Sequence, residues 1–520
     1  MDNYKESKSL SVPENTAASL ASGLLGTMSA TITATAALVG IHHYYRKKQQ
    51  PQARLYDYLT GVNAQLGSLS TATLPRLQHS YQQAKHAYLH YNEKSFEGDV
   101  AATTATSSNL AALHTTTILP RPVCWVSGVA AMPKGLPTHS DYIDQSTDQN
   151  DFGVVGIDAD RQLVWQTTMP ERVHDIVVQP IDNNSKSVQS RHVVVMGRRP
   201  SARFWVLDTA TGEVKHAIKA ASERHFYGHA CYSLDGSKLY VTENDTVSLD
   251  GKVGIYDAIN DYQKIAEFDS YGIGPHELIM HPDSETLIVA NGGIKTEQAS
   301  REELNLDSMR PSLVYINRHT GELLEQITPE HNQMSIRHLA IHDNSTVMIG
   351  IQFQGEKHIN VPLVLTHQRG DKAFTPLIMP NNQWQRFHQY IASMAVDNER
   401  NLLCVTTPIG GCAAIYDLTT YKLIDSITLP DCAGASVMTV SDKNSLHKLK
   451  TPISMAESAN DASYSNDKLS GFIVSDGQGQ LTALYANSSM AYSSNMEKNP
   501  IIYSDSKTHK MSFDNHLQAL

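Results

Sequence analysis

One pattern recurs along this chain and limits its fold more than any other feature. Apolar runs of strand length open at regular intervals: "HDIVVQP" at His174, "HACYSLDG" at His229, "HELIMHPDS" at His276, "HLAIHDNS" at His338 and "SMAVDNER" at Ser393. Successive starts differ by 55, 47, 62 and 55 residues. Each opening run is followed by a second ("HVVVMG", "KLYVTEN", "TLIVANG", "TVMIGIQ", "NLLCVTT") and a third ("RFWVLD", "VGIYDA", "SLVYIN", "PLVLTH", "AAIYDL"). A fourth often follows, as in "YQKIAEF", "GELLEQI" and "YKLIDSI". Four short strands per unit, at a period of roughly 40–60 residues, are the signature of propeller blades. A blade cannot bury both faces alone, so several must close into a ring.

Two further units flank these five. "VCWVSGV", "FGVVGID" and "LVWQTTM" precede them, and "ASVMTVS", "GFIVSDG" and "LTALYA" follow, the last interrupted by a polar insertion at 442–469. The expected fold is therefore all-β, a seven-bladed propeller over residues 121–520. A sandwich array or a pair of β domains is the alternative that the same runs allow.

The rest of the chain is different in texture. Thr16 to Ile41 holds 26 residues without a charge, long enough to span a bilayer, and Arg46, Lys47 and Lys48 follow it. Residues 1–52 read as a membrane-targeting or anchor segment, an uncleaved one included, and 53–120 as short helices and a flexible, Ala-, Thr- and Ser-rich linker. A formal net charge of -11 excludes a general nucleic-acid binder, which needs a basic excess. The five cysteines, Cys124, Cys231, Cys404, Cys412 and Cys432, form no CxxC pair, which disfavours a zinc ribbon or covalently attached haem.

Strand order places the polar residues. In a four-stranded meander the first strand lies at the channel and starts at one face, the top; the second strand ends there. His174, His229, His276 and His338 then stand near the channel mouth, while His281 and His342 lie toward the bottom. Imidazoles gathered near one axis can hold a transition metal, iron or copper among them. Alternatively, each fixes its own loop by bonding neighbouring backbone. The top loops add candidate ligand-binding residues: Glu243, Asn244, Asn291, Arg310 and Arg337. Arg310 and Arg337 can clamp a carboxylate or phosphate with bidentate forks, or can instead pair with Glu243 or Glu277. Gly292 and Gly293 let the backbone turn closely on the face that carries His276.

The stretches "GHACYSLDGSKLYVTEND", "YGIGPHELIMHPDSETLIVANGGIKTE", "LNLDSMRPSLVYI", "SIRHLAI" and "FDNHLQAL" resemble a bacterial family known only as a domain of unknown function. Its members are similar to exported seven-bladed propellers of the YVTN and quinoprotein-like group, often encoded beside imelysin-type, iron-regulated proteins. The likeness runs from about Arg121 to Leu520. It implies a periplasmic location and a link to iron or haem acquisition, and it supplies no catalytic residues. This chain departs from it in a longer N-terminus without a twin-arginine pair and in the insertion at 442–469. "FDNHL" reads as the strand that closes the ring, adding Asp514 and His516 to the channel.

Three functions fit these features. One is an envelope propeller binding a small ligand, a metal or a partner protein. Another is an enzyme of lactonase-like or quinoprotein-like type; the chain lacks a GxSxG elbow, an HExxH helix and a P-loop. The third is a protein-interaction scaffold.

Overall fold

The second strands of the units are apolar on both faces, and they are buried on both. His192–Gly197, Thr286–Asn291 and Leu402–Thr407 are enclosed almost throughout. Fourth strands such as Val214–Lys219 and Gln263–Asp269 carry Lys, Glu or Asp at intervals and stay largely at the surface. This gradient from buried to exposed sets each sheet edge-on to an axis. The computed structural model describes residues 115–132, 152–180, 191–199, 201–296, 303–438, 470–486 and 502–520, all within the unit Thr104–Leu520. The expected targeting segment, the helices before residue 115 and the insertion at 442–469 lie outside the described residues.

Seven antiparallel sheets result, six of four strands and one of five. The inner strands of blades 2 to 7 are Val173–Val178, Arg224–Tyr232, Pro275–Met280, Met334–Ile341, Ser393–Asp397 and Cys432–Val437. Each pairs with the next strand in sequence, as the meander requires. Blade 1 is closed differently. Its inner strand is Ser512–Ala519, from the far end of the chain, which pairs with Trp125–Ala131. Thr115–Thr117, read from sequence as linker, adds a fifth, outermost strand on Leu163–Thr168.

Turn chemistry repeats from blade to blade. In "DTATG", Asp208 Oδ1 accepts the amides of Ala210 and Thr211 at 2.9 Å each. In "NRHTG", Asn317 Oδ1 accepts those of His319 and Thr320 at 2.9 and 3.0 Å. These Asx turns join third strands to fourth strands. Apolar clusters fill the gaps between blades, Phe204, Phe226 and Tyr256 between blades 2 and 3 for example. His281 and His342 bond the turns at the bottom: their Nδ1 atoms accept the amides of Asp283 and Asn344 at 3.1 Å each. Among the described residues no helix is long and apolar enough to cross a membrane.

Candidate metal centre

Strict alternation along a strand would send neighbouring side chains to opposite faces. The inner strands of blades 1 to 5 break that alternation. Pairing register shifts between Val173 and Ile176, between Pro275 and Leu278, and between Ile336 and His338. It shifts again opposite the Tyr227–His229 segment and on the strand facing Asp514–His516. A bulge re-aims the residues it contains. Here each bulge contains or adjoins a histidine. Thr242 braces one of them: its hydroxyl donates to the His229 carbonyl at 3.0 Å and accepts the His229 amide at 3.2 Å. Gly228, at φ 108°, brings the same bulge so close to His174 that a Cβ there would meet Cδ2 at 2.7 Å.

The outcome is a cluster of five imidazoles on the axis. His174, His276, His338 and His516 form a cycle, with ring centroids 6.0, 5.0, 5.7 and 5.0 Å apart in turn. His229 lies 4.6, 4.5, 5.9 and 5.1 Å from these four rings in the same order. Ligand atoms of His174, His229 and His516 all fall within 4.8 Å of one another. The inner strands of blades 6 and 7 carry no histidine and present Ser393 and Ala433, Gly434 and Ala435 instead.

The hydrogen bonds orient these rings. His276 Nδ1 lies 3.1 Å from the Arg337 carbonyl. A carbonyl only accepts, so Nδ1 carries the proton and Nε2 keeps its lone pair. His338 Nδ1 is 3.0 Å from Glu277 Oε2, which also accepts the Leu339 amide at 3.0 Å. Asp175 repeats this device two blades away. Its Oδ2 accepts the Ala230 amide at 3.2 Å and sits 3.4 Å from His229 Nδ1, while its Oδ1 is 3.5 Å from His516 Nδ1. Each carboxylate thus reaches the residue that follows the next blade's histidine. Carboxylates or carbonyls behind Nδ1, with Nε2 left over, are what metal-ligating histidines use. Nε2 of His229, His338 and His516 and Nδ1 of His174 are buried without a hydrogen-bond partner among the described residues.

Burial disfavours the charged form of four of these rings. It is the largest cause holding His174, His276 and His338 well below the ordinary imidazole value, and neighbouring imidazoles add to it. His516 is pushed down to about 3, again mainly by burial. Neutral imidazole is the form that ligates. Burial works against the Asp175 carboxylate, yet His229, His516 and the Ala230 amide hold it below the usual range. Burial alone dominates at Glu277 and pushes it up to about 8.

The other sequence candidates divide. Arg337 stands at the channel mouth, 7% exposed. Glu243 and Asn244 are not top-loop residues: the strand Lys238–Asp245 runs longer than the sequence reading allowed and includes both. Glu243 is buried inside blade 3, bonded at 2.7 Å to the Tyr256 hydroxyl and at 2.7 Å to Lys264. Asn244 Nδ2 donates to the Asp245 carbonyl at 3.2 Å. Asn291 is also structural, its Nδ2 donating to the Ser270 carbonyl at 2.8 Å. Arg310 is exposed, whereas Arg337 is buried. Neither arginine takes Glu243 or Glu277, whose partners are Lys264 and His338. Gly292 and Gly293 do share the face of His276, their amides bonded at 2.8 Å to the carbonyls of Gly274 and Ile273. Sequence reading did not name Asp175 as a site residue, and it left the partner of Glu277 open; the dipeptides His174-Asp175 and His276-Glu277 were the signal.

Fold and site together define a seven-bladed β-propeller with histidines from five adjacent blades converging on its axis. Residues 167–447 match the model of a family described as "Protein of unknown function (DUF1513)", and the chain belongs to that family. The matched span includes four of the five histidines; His516 lies beyond it. No curated protein matches the chain. Among solved structures it is similar to Kuenenia stuttgartiensis hydrazine synthase, at 17% identity and a TM-score of 0.39, over 52% of this chain and 72% of that one.

Proposed function

We propose that this protein is a metal-binding propeller of the bacterial envelope, and that its axial histidines hold one transition-metal ion. The observation that carries the reading is the unpartnered ring nitrogens of the five-histidine cluster, backed by the carboxyl groups of Asp175 and Glu277 at Nδ1. Spacing supports a single ion. With metal–nitrogen bonds of about 2 Å and the ring centre roughly one ångström beyond, centroids sit about 4.5 Å apart at a right angle and about 5 Å apart at a tetrahedral angle. Five of the ring pairs lie at 4.5 to 5.1 Å, matching these values, and three lie farther apart, at 5.7 to 6.0 Å. Rings this close on several sides leave no plane for a porphyrin, so a bare ion is favoured over haem. All-imidazole sites suit copper, iron and zinc, with copper bound most tightly among them.

Protein made without a polyhistidine tag, stripped by chelator and dialysed against Cu(II), Fe(II) or Zn(II), is expected to retain one ion per chain. Loading also raises the unfolding temperature, since a ligand at a hundredfold excess over its Kd stabilises by about 2.7 kcal/mol. If none of the three metals is retained, the metal reading fails. The envelope assignment is supported by the uncharged stretch from Thr16 to Ile41 and by the likeness to exported propellers. A reporter fused after residue 120 is expected to be active only where the envelope-side enzyme works; activity confined to the cytoplasm overturns the assignment.

A further inference from the structure

Directly above the histidines the channel mouth is lined by arginines. Arg172 precedes the inner strand of blade 2, Arg198 and Arg199 follow its second strand, and Arg337 lies in the bulge of blade 5. Arg199 stacks over the Tyr227 ring, its Cζ 4.6 Å from the centroid. Asp514 is taken by Arg172, which grips both carboxylate oxygens, Nε to Oδ2 at 2.5 Å and Nη2 to Oδ1 at 2.9 Å.

Two guanidinium groups are left with donors unused. Arg198 Nη1 is buried without a hydrogen bond, its contact with Asp514 Oδ1 stretched to 3.8 Å. Arg337 is 7% exposed, and its Nε has no partner among the described residues. Both lie within electrostatic reach of Tyr390 and of Arg199. The remaining acids act only at range, Glu303 on Arg337 and Asp431 on Arg172. Guanidinium groups stay charged at neutral pH. A buried cation without a counter-ion is costly, and native proteins keep one where a ligand completes it.

We propose that this mouth binds a small oxyanion, with two or more oxygens on one centre, gripped by Arg337 and Arg198 beside Tyr390 and over the histidine cluster. Guanidinium forks fit carboxylate and phosphate geometry. The inference rests on the metal reading only for what lies beneath the anion; the arginine chemistry stands without it.

The test is calorimetric titration of the full chain, metal-free and metal-loaded, with oxalate and with inorganic phosphate at low salt. One anion per chain is expected to bind. Affinity falls about 30-fold in Arg337→Met and in Arg198→Met, the loss of a charge-assisted hydrogen bond or two. Arg369→Gln, an exposed control just after the strand Val364–His367, leaves it unchanged. Anion-free Arg337→Met is expected to unfold at or above the wild-type temperature, because an uncompensated buried charge has gone; a lower temperature marks a merely structural arginine and counts against the proposal. Should Arg337→Met fail to fold, Arg337→Lys decides, since it keeps the charge and loses the fork: weakened binding supports the site and unchanged binding overturns it. Failure of both anions to bind either form also overturns it. Anion binding by a chain that retains no metal sinks the metal reading and leaves this one standing.

Discussion

Removal of residues 512–520 is expected to abolish the cooperative folding of the propeller. This segment is the inner strand of blade 1, and no local strand replaces it. It pairs with Trp125–Ala131 from the other end of the described chain: Trp125 faces Ala519, Val126 faces Gln518 and Ser127 faces Leu517. Phe513 and Leu517 are 3% and 4% exposed and pack with Trp125, Ile473 and Leu481, so the strand ties blade 1 to blade 7. Burying two such side chains is worth about 3–6 kcal/mol. Opening the ring also bares the edge of Trp125–Ala131, which then offers unpaired backbone groups to other chains. A typical domain has only about 5–15 kcal/mol in total. The truncated protein should lose its near-ultraviolet dichroism and its sharp thermal transition. Leu517→Ala, a milder break, should cost about 2–5 kcal/mol with the transition retained. A truncated chain that melts as sharply as the intact one would refute ring closure as the source of cooperativity.

The same strand shows how far the sequence could be read. "FDNHL" was legible as a closing strand beside the resemblance to propellers whose ring must close. Blade number was legible because every unit carries the same doubly buried second strand and recurrent Asp or Asn turns. Fine placement was not. Bulges depend on pairing with a neighbour, and no single run announces one. Asp175 follows His174, and alternation alone would have turned it away from the axis; the shift between Val173 and Ile176 lets both serve the cluster. Glu243 failed for the opposite reason. It looked like the start of a top loop, yet Gly254 on the neighbouring strand leaves room for its carboxylate inside the blade: a Cβ on Gly254 would come within 2.0 Å of Oε1. The arginines were visible singly, Arg198, Arg199 and Arg337 on top loops and strand starts. Arg172 and Arg198 meet at Asp514, which arrives from the other end of the chain.

The double variant His174→Ala/His229→Ala is expected to lower metal affinity by about 100-fold or more, beyond the 10- to 100-fold typical of losing a partner behind a ligand. His229 is the ring within 6 Å of all four others, and its removal takes the shared member of four close pairs. His174 goes with it because its Nδ1 is buried and unpartnered. The three imidazoles that remain, His276, His338 and His516, still offer nitrogen, but the group of three whose ligand atoms already lie within 4.8 Å is gone. Asp175→Asn is the graded companion: it replaces the charged acceptor behind both His229 and His516 and should weaken binding by about 10- to 100-fold. Stability separates a metal site from a hydrogen-bonded core. If the histidines served the fold alone, the double variant would melt well below the metal-free wild type. In the metal-free protein, however, His229 Nε2 and His174 Nδ1 make no hydrogen bond among the described residues. Removing groups that are buried and unsatisfied recovers desolvation free energy that offsets the lost packing. The melting temperature of the metal-free form should therefore change little, while the increase on metal addition disappears. The opposite pattern, a large loss of stability with metal binding intact, would show that these rings are structural.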